Sequence, residues 1–419
     1  MLGLTVGLLA CSLETTPVAT PKRPRVAVPD EPGEDVPDAA PTLELPEVGP
    51  ADPPEAPPPE DATPAEWRPF RDEALGDFLY GEEVVHDFEI SLSSDAVADL
   101  SWSPESPVWG RFEWGDESWD VGVRLKGSTT FRTLAQKAAF KIDFNEWEPE
   151  ARFHGLKSLT LNNMVCDPTM VRERAYYWYA ARVGIPAPRH AYARVRVNGE
   201  LFGLYSVVET VDDQLVERVW IDDDDGVLLE GTGADLVDGD DHYEVEEVGE
   251  GDVGALVDAL DEADDDDLVE VFERVFDEGV LRYWALDLAS GNDDGYARNH
   301  HNYFLYYAPF ERRWSMIPWG TDRSFEDHAS VHGDPMTDPI GHLVRRCLSA
   351  EDCRDRLDAT ILDMAEGWEA RGLVDYVASV IPLIEEDCER DPRRELGCDP
   401  EKFLRYVEDR VDEVRWEIE

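Results

Sequence analysis

Between Asp293 and Tyr307 the chain reads DDGYARNHHNYFLYY. Two carboxylates, a glycine, two histidines and Asn302 run straight into an aromatic stretch with the character of a buried strand. Polar groups that meet beside an apolar wall suit proton transfer or a hard cation. A carboxylate such as Asp294 accepts a proton, and the carboxamide oxygen of Asn302 is a ligand for Mg²⁺. The plainer readings are a turn carboxylate and a turn-capping amide. His300 and His301 suit zinc less well, because neighbours on a strand face opposite sides and do not share one ion; they read as structural. A further carboxylate, Asp322, follows in PWGTD. The chain has only six lysines, so Lys126 and Lys141, each in an apolar strand pattern, stand out, with Lys137 close by. Arg124 shares the face of Lys126. Glu209, closing GLYSVVE, is placed to pair with a lysine and hold it. The bland alternative for all of these is a surface ion pair worth about 0–1 kcal/mol.

These residues need elements to position them. VVHDFEISLS alternates like a strand and DAVADLSW reads as a short helix. SWDVGVRLKGSTT is a clearer strand, with Val121, Val123 and Leu125 on one face and Arg124 and Lys126 on the other. KAAFKIDF and LKSLTLNN are strands, and PTMVRERAYYWYAARVGI is a helix ended by Gly184 and Pro186. HAYARVRVNGELFGLYSVVE is a hairpin turning at Asn198-Gly199. The acidic stretch over about 211–270 reads as a solvated charge run. Asp235, Asp238, Asp240 and Asp241 lack the order and the closing Glu of a calcium loop. LVEVFERVFDEGVLRYWALDLASG reads as one helix leading to the DDG motif. HNYFLYYAP and RRWSMIPWGTD are two strands, and the remainder is helical. Strands fill the first half and helices the second, so the fold class is α+β.

Composition narrows the functional classes. With 94 acidic and 38 basic residues the net charge is −56. Such a surface repels phosphate backbones and anionic lipid, which argues against nucleic-acid binding. Hydrophobic residues at 42% allow a sizeable core after about residue 65. Leu8-Leu9-Ala10-Cys11 ends an apolar run and resembles the lipobox of bacterial lipoproteins, with Cys11 as the lipidated residue. Residues 12–65, rich in Pro, Glu, Asp and Ala, read as a spacer without a core of its own. The expectation is an exported domain, 66–419, whose only tie to the cell envelope is a lipid anchor. In an oxidising compartment Cys347 with Cys353, and Cys388 with Cys398, read as short-loop disulfides, leaving Cys166 as a buried thiol.

Taken in order, RLKGSTT…KAAFKIDF, LTLNNMVCDPTMVRERAYYW, RVNGELFGLYSVVE, NDDGYARNHHNYFLY and MIPWGTDRSF resemble the spore coat protein H (CotH) kinase family, an atypical secreted relative of the protein kinases. The resemblance spans about 84–345, with helices from 340 to 419 completing the domain. It implies a protein-kinase-like fold that binds ATP with Mg²⁺ or Mn²⁺ and phosphorylates Ser or Thr of an exported protein. On that basis Asp294, in its Asp-Gly step, is the catalytic carboxylate and Asn302 a metal ligand. Lys126 and Lys141, with Arg124, hold phosphates; Glu209 orients a lysine; Trp314 stacks an adenine or is a core tryptophan. Arg172 in MVRER matches a family arginine. One departure stands out: where many members carry Pro-Trp-Asp-x-Asp, this chain has Pro318-Trp319-Gly320-Thr321-Asp322, which leaves Asp322 as the remaining acidic ligand. The alternative is a catalytically impaired surface protein that uses the same fold for binding or adhesion.

Overall fold

Alternation in the first half closes into a barrel. A computed structural model describes residues 75–81, 83–231, 233–237, 242–265, 267–326 and 341–418; the anchor segment and the spacer lie outside them. After a short turn of helix, α1 (Asp77–Tyr80), come β1 (Val85–Leu92), α2 (Ser94–Trp102), β2 (Val108–Trp114), β3 (Glu117–Lys126), β4 (Ala139–Asp143) and β5 (Ser158–Asn162). Helix α3 (Arg172–Arg182) then leads to the hairpin β6 (His190–Val197) and β7 (Glu200–Val208). The strand order is β1-β2-β3-β4-β5-β7-β6, closed by parallel pairing of β1 with β6. The hairpin turn has Asn198 and Gly199 both at positive φ, 51° and 80°, as a two-residue turn between twisted strands requires. Phe112, Val121, Val123, Phe140, Ile142 and Leu159 are fully buried in the barrel. Period-2 alternation therefore leaves Arg124 and Lys126 on the outer face, with Arg124 paired in register with Lys141.

The second half builds a four-stranded antiparallel sheet backed by helices. The chain continues through α4 (Asp213–Val219), β8 (Leu228–Gly231), β9 (Glu244–Glu247), α5 (Val253–Asp261), α6 (Leu268–Val275) and α7 (Gly279–Ser290). Then follow α8 (Tyr296–Asn299), β10 (Tyr303–Ala308), β11 (Arg313–Pro318), α9 (His342–Ser349), α10 (Glu351–Ala370), α11 (Leu373–Arg390) and α12 (Glu401–Ile418). The sheet order is β11-β10-β8-β9. Trp284 on α7 and Trp368 on α10 are fully buried in the core shared by the helices and one face of this sheet.

Strands in the first half and helices in the second match the expected mixed class. Three local readings are corrected. The acidic stretch is not a bare charge run: α4, β8, β9 and α5 lie within it, α6 begins at its end, and β8 pairs with β10. The single helix over LVEVFERVFDEGVLRYWALDLASG is two. Phe276 leaves α6 in an extended conformation and bridges Trp314 on β11, and the Asp277 amide donates to the Trp314 carbonyl. Pairing with β11 thus pulls the chain out of the helix. Cys166 is buried and disulfide-bonded, not a free thiol. The two expected disulfides, Cys347–Cys353 and Cys388–Cys398, are both present. Among the described residues no helix is long and apolar enough to cross a membrane.

The loop 388–398, closed by the Cys388–Cys398 disulfide, fastens the helices to the barrel. Lys137, beside β4, forms a 2.5 Å ion pair with Asp391, and neither side chain is exposed. The same carboxylate accepts the Leu204 and Arg393 amides at 3.0 and 2.9 Å. It sits so close to Gly203 that a Cβ there would lie 2.3 Å from it. Arg132 makes a two-pronged pair with Glu395, and Arg194 pairs with Asp387. Lys137 is therefore an inter-lobe tether and unavailable to phosphate. Removing one partner of a buried pair leaves an uncompensated charge, so Lys137→Met should cost about 3–5 kcal/mol in urea unfolding. Adding Asp391→Leu should not restore it, because the Leu204 and Arg393 amides then lose their acceptor. Full recovery by the double variant would refute the tether as described.

Candidate active site

The DDG motif is placed by the end of α7. Gly291 adopts the left-handed conformation (φ 67°) that stops the helix. The last carbonyls, of Leu288 and Ala289, are capped by buried Arg410 from α12, a cation at a helix C-terminus. Beyond the stop, the Asp294 amide donates to Asn292 Oδ1 (3.3 Å) and Asp294 Oδ1 accepts from Asn299 Nδ2 (2.9 Å). His300 (φ 42°) and Asn302 (φ 53°) are both left-handed, so the chain turns sharply here and His300 caps α8 instead of opening a strand. That turn brings Asn302 Nδ2 back to donate to the Asp294 main-chain carbonyl at 2.9 Å.

Asp322 arrives from β11. Gly320 is left-handed (φ 54°) and starts a single 3₁₀ turn, Thr321–Arg323. Its Cα faces Asn302: an added Cβ would lie 3.0 Å from Asn302 Oδ1. The Phe325 amide donates to the Ser290 carbonyl at 2.7 Å, tying this turn to the end of α7. The Asp322 carboxyl is pushed up to about 8 by burial first, then by the charges of Glu173, Asp294 and Asp167. Asp322 thus lies within electrostatic reach of Asp294, and its turn packs against Asn302 through Gly320.

Lys126 joins them from the barrel. Its ammonium donates to Asn162 Oδ1 at 2.6 Å and lies 5.5 Å from the Trp319 ring. Asn162 Nδ2 in turn reaches both oxygens of Glu173 at 2.9 and 3.2 Å. Burial pushes the Lys126 amine down, opposed by Glu173 and Asp322. Asp167, 2% exposed, accepts the Arg172 amide and anchors the start of α3, which carries Glu173. Arg172 is fully buried beside Asp167 and the Asp322 carbonyl. Asn162, Glu173 and Asp167 were missed by sequence reasoning. The signal was present in LNN and RER, since a polar residue closing a strand and an acid opening a buried helix both have to answer to something inside.

Other expected members stand elsewhere. Glu209 is not a lysine partner: Arg189 and Arg218 both bind it, at 2.6 and 2.7 Å, near the rim of the barrel. Bidentate arginine outcompetes a lysine for a buried carboxylate. Trp314 is 4% exposed in the helical core against Tyr307 and Phe276, with no open face for a base; alternation along β11 turns it to the helices. Lys141 gives its ammonium to Ser158 and Thr210 (2.8 and 2.7 Å), and burial pushes it down to about 8. Arg124 lies 3.7 Å from Asp143 and is half exposed. Glu230 on β8 is pushed up to about 7 by burial and by Glu246 and Glu244, and it feels Lys126 and Arg124. The β8–β9 hairpin therefore faces the basic strip of β3 and β4. Asp235 accepts from Tyr296 and the His342 amide and is structural; Asp238, Asp240 and Asp241 lie outside the described residues.

Against known proteins, the CotH kinase protein family model matches residues 123–414, and the chain belongs to that family. It is 25% identical over 254 residues to the inner spore coat protein H of Bacillus subtilis (strain 168), covering 55% of this chain and 66% of that protein. It is 34% identical over 76 residues to the inner spore coat protein H-like protein of the same organism, covering 18% of this chain and 23% of that one. The chain thus spans just under two thirds of the first relative.

The donor set fits a hard divalent cation: oxygen ligands from Asp322 and Asn302 with surplus negative charge around them. Because the folded state raises Asp322 above its ordinary value, ionising it costs stability. Stability is intact below about pH 4 and declines as pH rises towards about 8. In the ligand-free protein, Asp322→Asn should match wild type in thermal melting at pH 4 and exceed it by at least about 1 kcal/mol at pH 8. Equal melting at both pH values would contradict this environment for Asp322.

Proposed function

We propose that the chain is an exported CotH-type protein kinase with a protein-kinase-like fold, which transfers the γ-phosphate of ATP to a Ser or Thr hydroxyl of an exported protein. The observation that supports this reading is the grouping of Asp294 and Asn302 from one stretch with Asp322 from a second and Lys126 from a third. Asp294 aligns the acceptor hydroxyl and takes its proton as the new O–P bond forms. The bond from the γ-phosphorus to the bridging oxygen breaks, and ADP leaves with that electron pair. Lys126, held by Asn162 against Glu173, supplies the cation for the phosphates. Asp322 and Asn302 would hold Mg²⁺ or Mn²⁺, whose charge neutralises the transferring phosphoryl oxygens when bound. Arg124, on the same outer face, adds positive charge at the mouth.

Gly320 supports a second reading, in which a weakened cation site leaves a kinase-like surface protein that only binds. Incubating the chain with labelled ATP, Mg²⁺ and a generic acceptor separates the two. Wild type should label the acceptor, and Asp294→Ala should lower the rate about 10²–10⁴-fold; equal label in both sinks the kinase reading. Gly320→Asp places a carboxylate against the Asn302 amide, so it should tighten Mn²⁺ binding in calorimetry by about tenfold, roughly one added charged ligand. Unchanged affinity would mean that a side chain at 320 does not reach the ion.

A further inference from the structure

Beneath the Asp-Gly step lies a carboxylate that neither family resemblance nor motif spacing singles out. Asp287, on the last turn of α7, is fully buried. Its Oδ1 accepts the Tyr176 hydroxyl at 2.6 Å and Asn292 Nδ2 at 2.8 Å, and its main-chain carbonyl accepts the Asn292 amide at 2.9 Å. The Tyr283 hydroxyl and the Ala297 amide also bear on the carboxyl. Asn292 then passes the constraint on, its Oδ1 accepting the Asp294 amide. Gly295 completes the arrangement. Its backbone is extended (φ −87°), a conformation open to any residue, yet a Cβ would lie 2.3 Å from Asp287 Oδ2 and 2.7 Å from Asn292 Nδ2. The glycine is there because the carboxyl occupies the space of a side chain.

We infer that Asp287 is the positioning residue for Asp294: a buried post on which the loop 292–299 is seated through Asn292 and Gly295. This rests on the proposed function for its catalytic consequence, and on geometry alone for the loop. Among the described residues no arginine or lysine neutralises Asp287, and burial pushes its carboxyl up to about 7. A buried acid without a cation is costly, and apolar packing would serve α7 better if stability were its only task. Tyr176 comes from α3, so the post also links the helix bearing Glu173 to the loop bearing Asp294.

The test uses the full chain, with Asp287→Asn and the milder Tyr176→Phe. Amide exchange followed by mass spectrometry should rise about tenfold or more across 292–299 in both variants, with the barrel strands unchanged. In phosphotransfer, kcat should fall by up to about 10²-fold for Asp287→Asn, with KM for ATP within about threefold. Unchanged exchange over 292–299, or a rise spread evenly over the chain in Tyr176→Phe, overturns the inference. Should wild type transfer no phosphate while the local exchange effect appears, the kinase reading falls and the post stands. Should transfer proceed and exchange stay unchanged, the reverse holds.

Discussion

Crowding of carboxylates around one amine governs the cleft. Asp322 feels Glu173, Asp294 and Asp167, and Lys126 is the amine that answers both Glu173 and Asp322. Like charges at short range in a poorly solvated pocket repel by several kcal/mol, and a folded chain relieves this by binding protons or a cation. Asp322 takes the first route when nothing is bound. The amide of Asn162, set between Lys126 and Glu173, keeps that pair in register without direct contact. The pocket is thus organised for positive charge that the polypeptide itself supplies only in part.

Such a pocket holds its shape only if its walls do not drift. Lys126 belongs to the barrel, whereas Asp294, Asn302 and Asp322 belong to the helical half and its sheet. Two devices hold them together. The disulfide-closed loop 388–398 docks on the barrel through the Lys137–Asp391 pair and the Arg132–Glu395 fork. Helix α12 grips the end of α7 through Arg410, and Tyr406 donates to the Ser290 carbonyl that also receives the Phe325 amide. That carbonyl references the Asp322 turn to the helix end from which the Asp294 loop departs. Charged groups in a fixed frame stabilise a developing charge without rearranging, which is where electrostatic catalysis gains over water.

Legibility in the sequence followed the range of the forces involved. Six of the seven barrel strands were readable because alternation is local, with Val121, Val123 and Leu125 turning inward whatever their partners, whereas β2 (Val108–Trp114) was not read. Asp294, Asn302 and Asp322 drew notice as polar residues in short motifs beside apolar runs, and the structure places them just past the end of α7, just before β10 and in the turn after β11. Pairings were not readable. Glu209 and Glu173 look alike as acids beside buried segments, and only the fold brings arginines to one and Asn162 to the other. Trp314 faces the helices because of the side β11 buries. The break between α6 and α7 comes from a strand nearly forty residues downstream, and the strands in the acidic stretch form because β8 finds β10. In each case a long-range partner overrode local pattern.

Gly320 sharpens the choice between catalysis and mere binding. A left-handed position near φ 54° tolerates Asp or Asn, so backbone geometry alone does not demand glycine. What glycine removes is one more negative charge from a pocket already crowded with them. With an aspartate there, Asp322, Asp294 and Glu173 would each be harder to ionise, and the empty pocket costlier to fold. A protein that used this fold only for adhesion would gain stability by discarding Asp322 and Asp287 as well, since both carry burial costs. It retains them, together with the lysine, the asparagine and the glycine that seat them. Buried acids with raised protonation, gathered beside one amine, mark this cleft as the place where a functional role is to be sought.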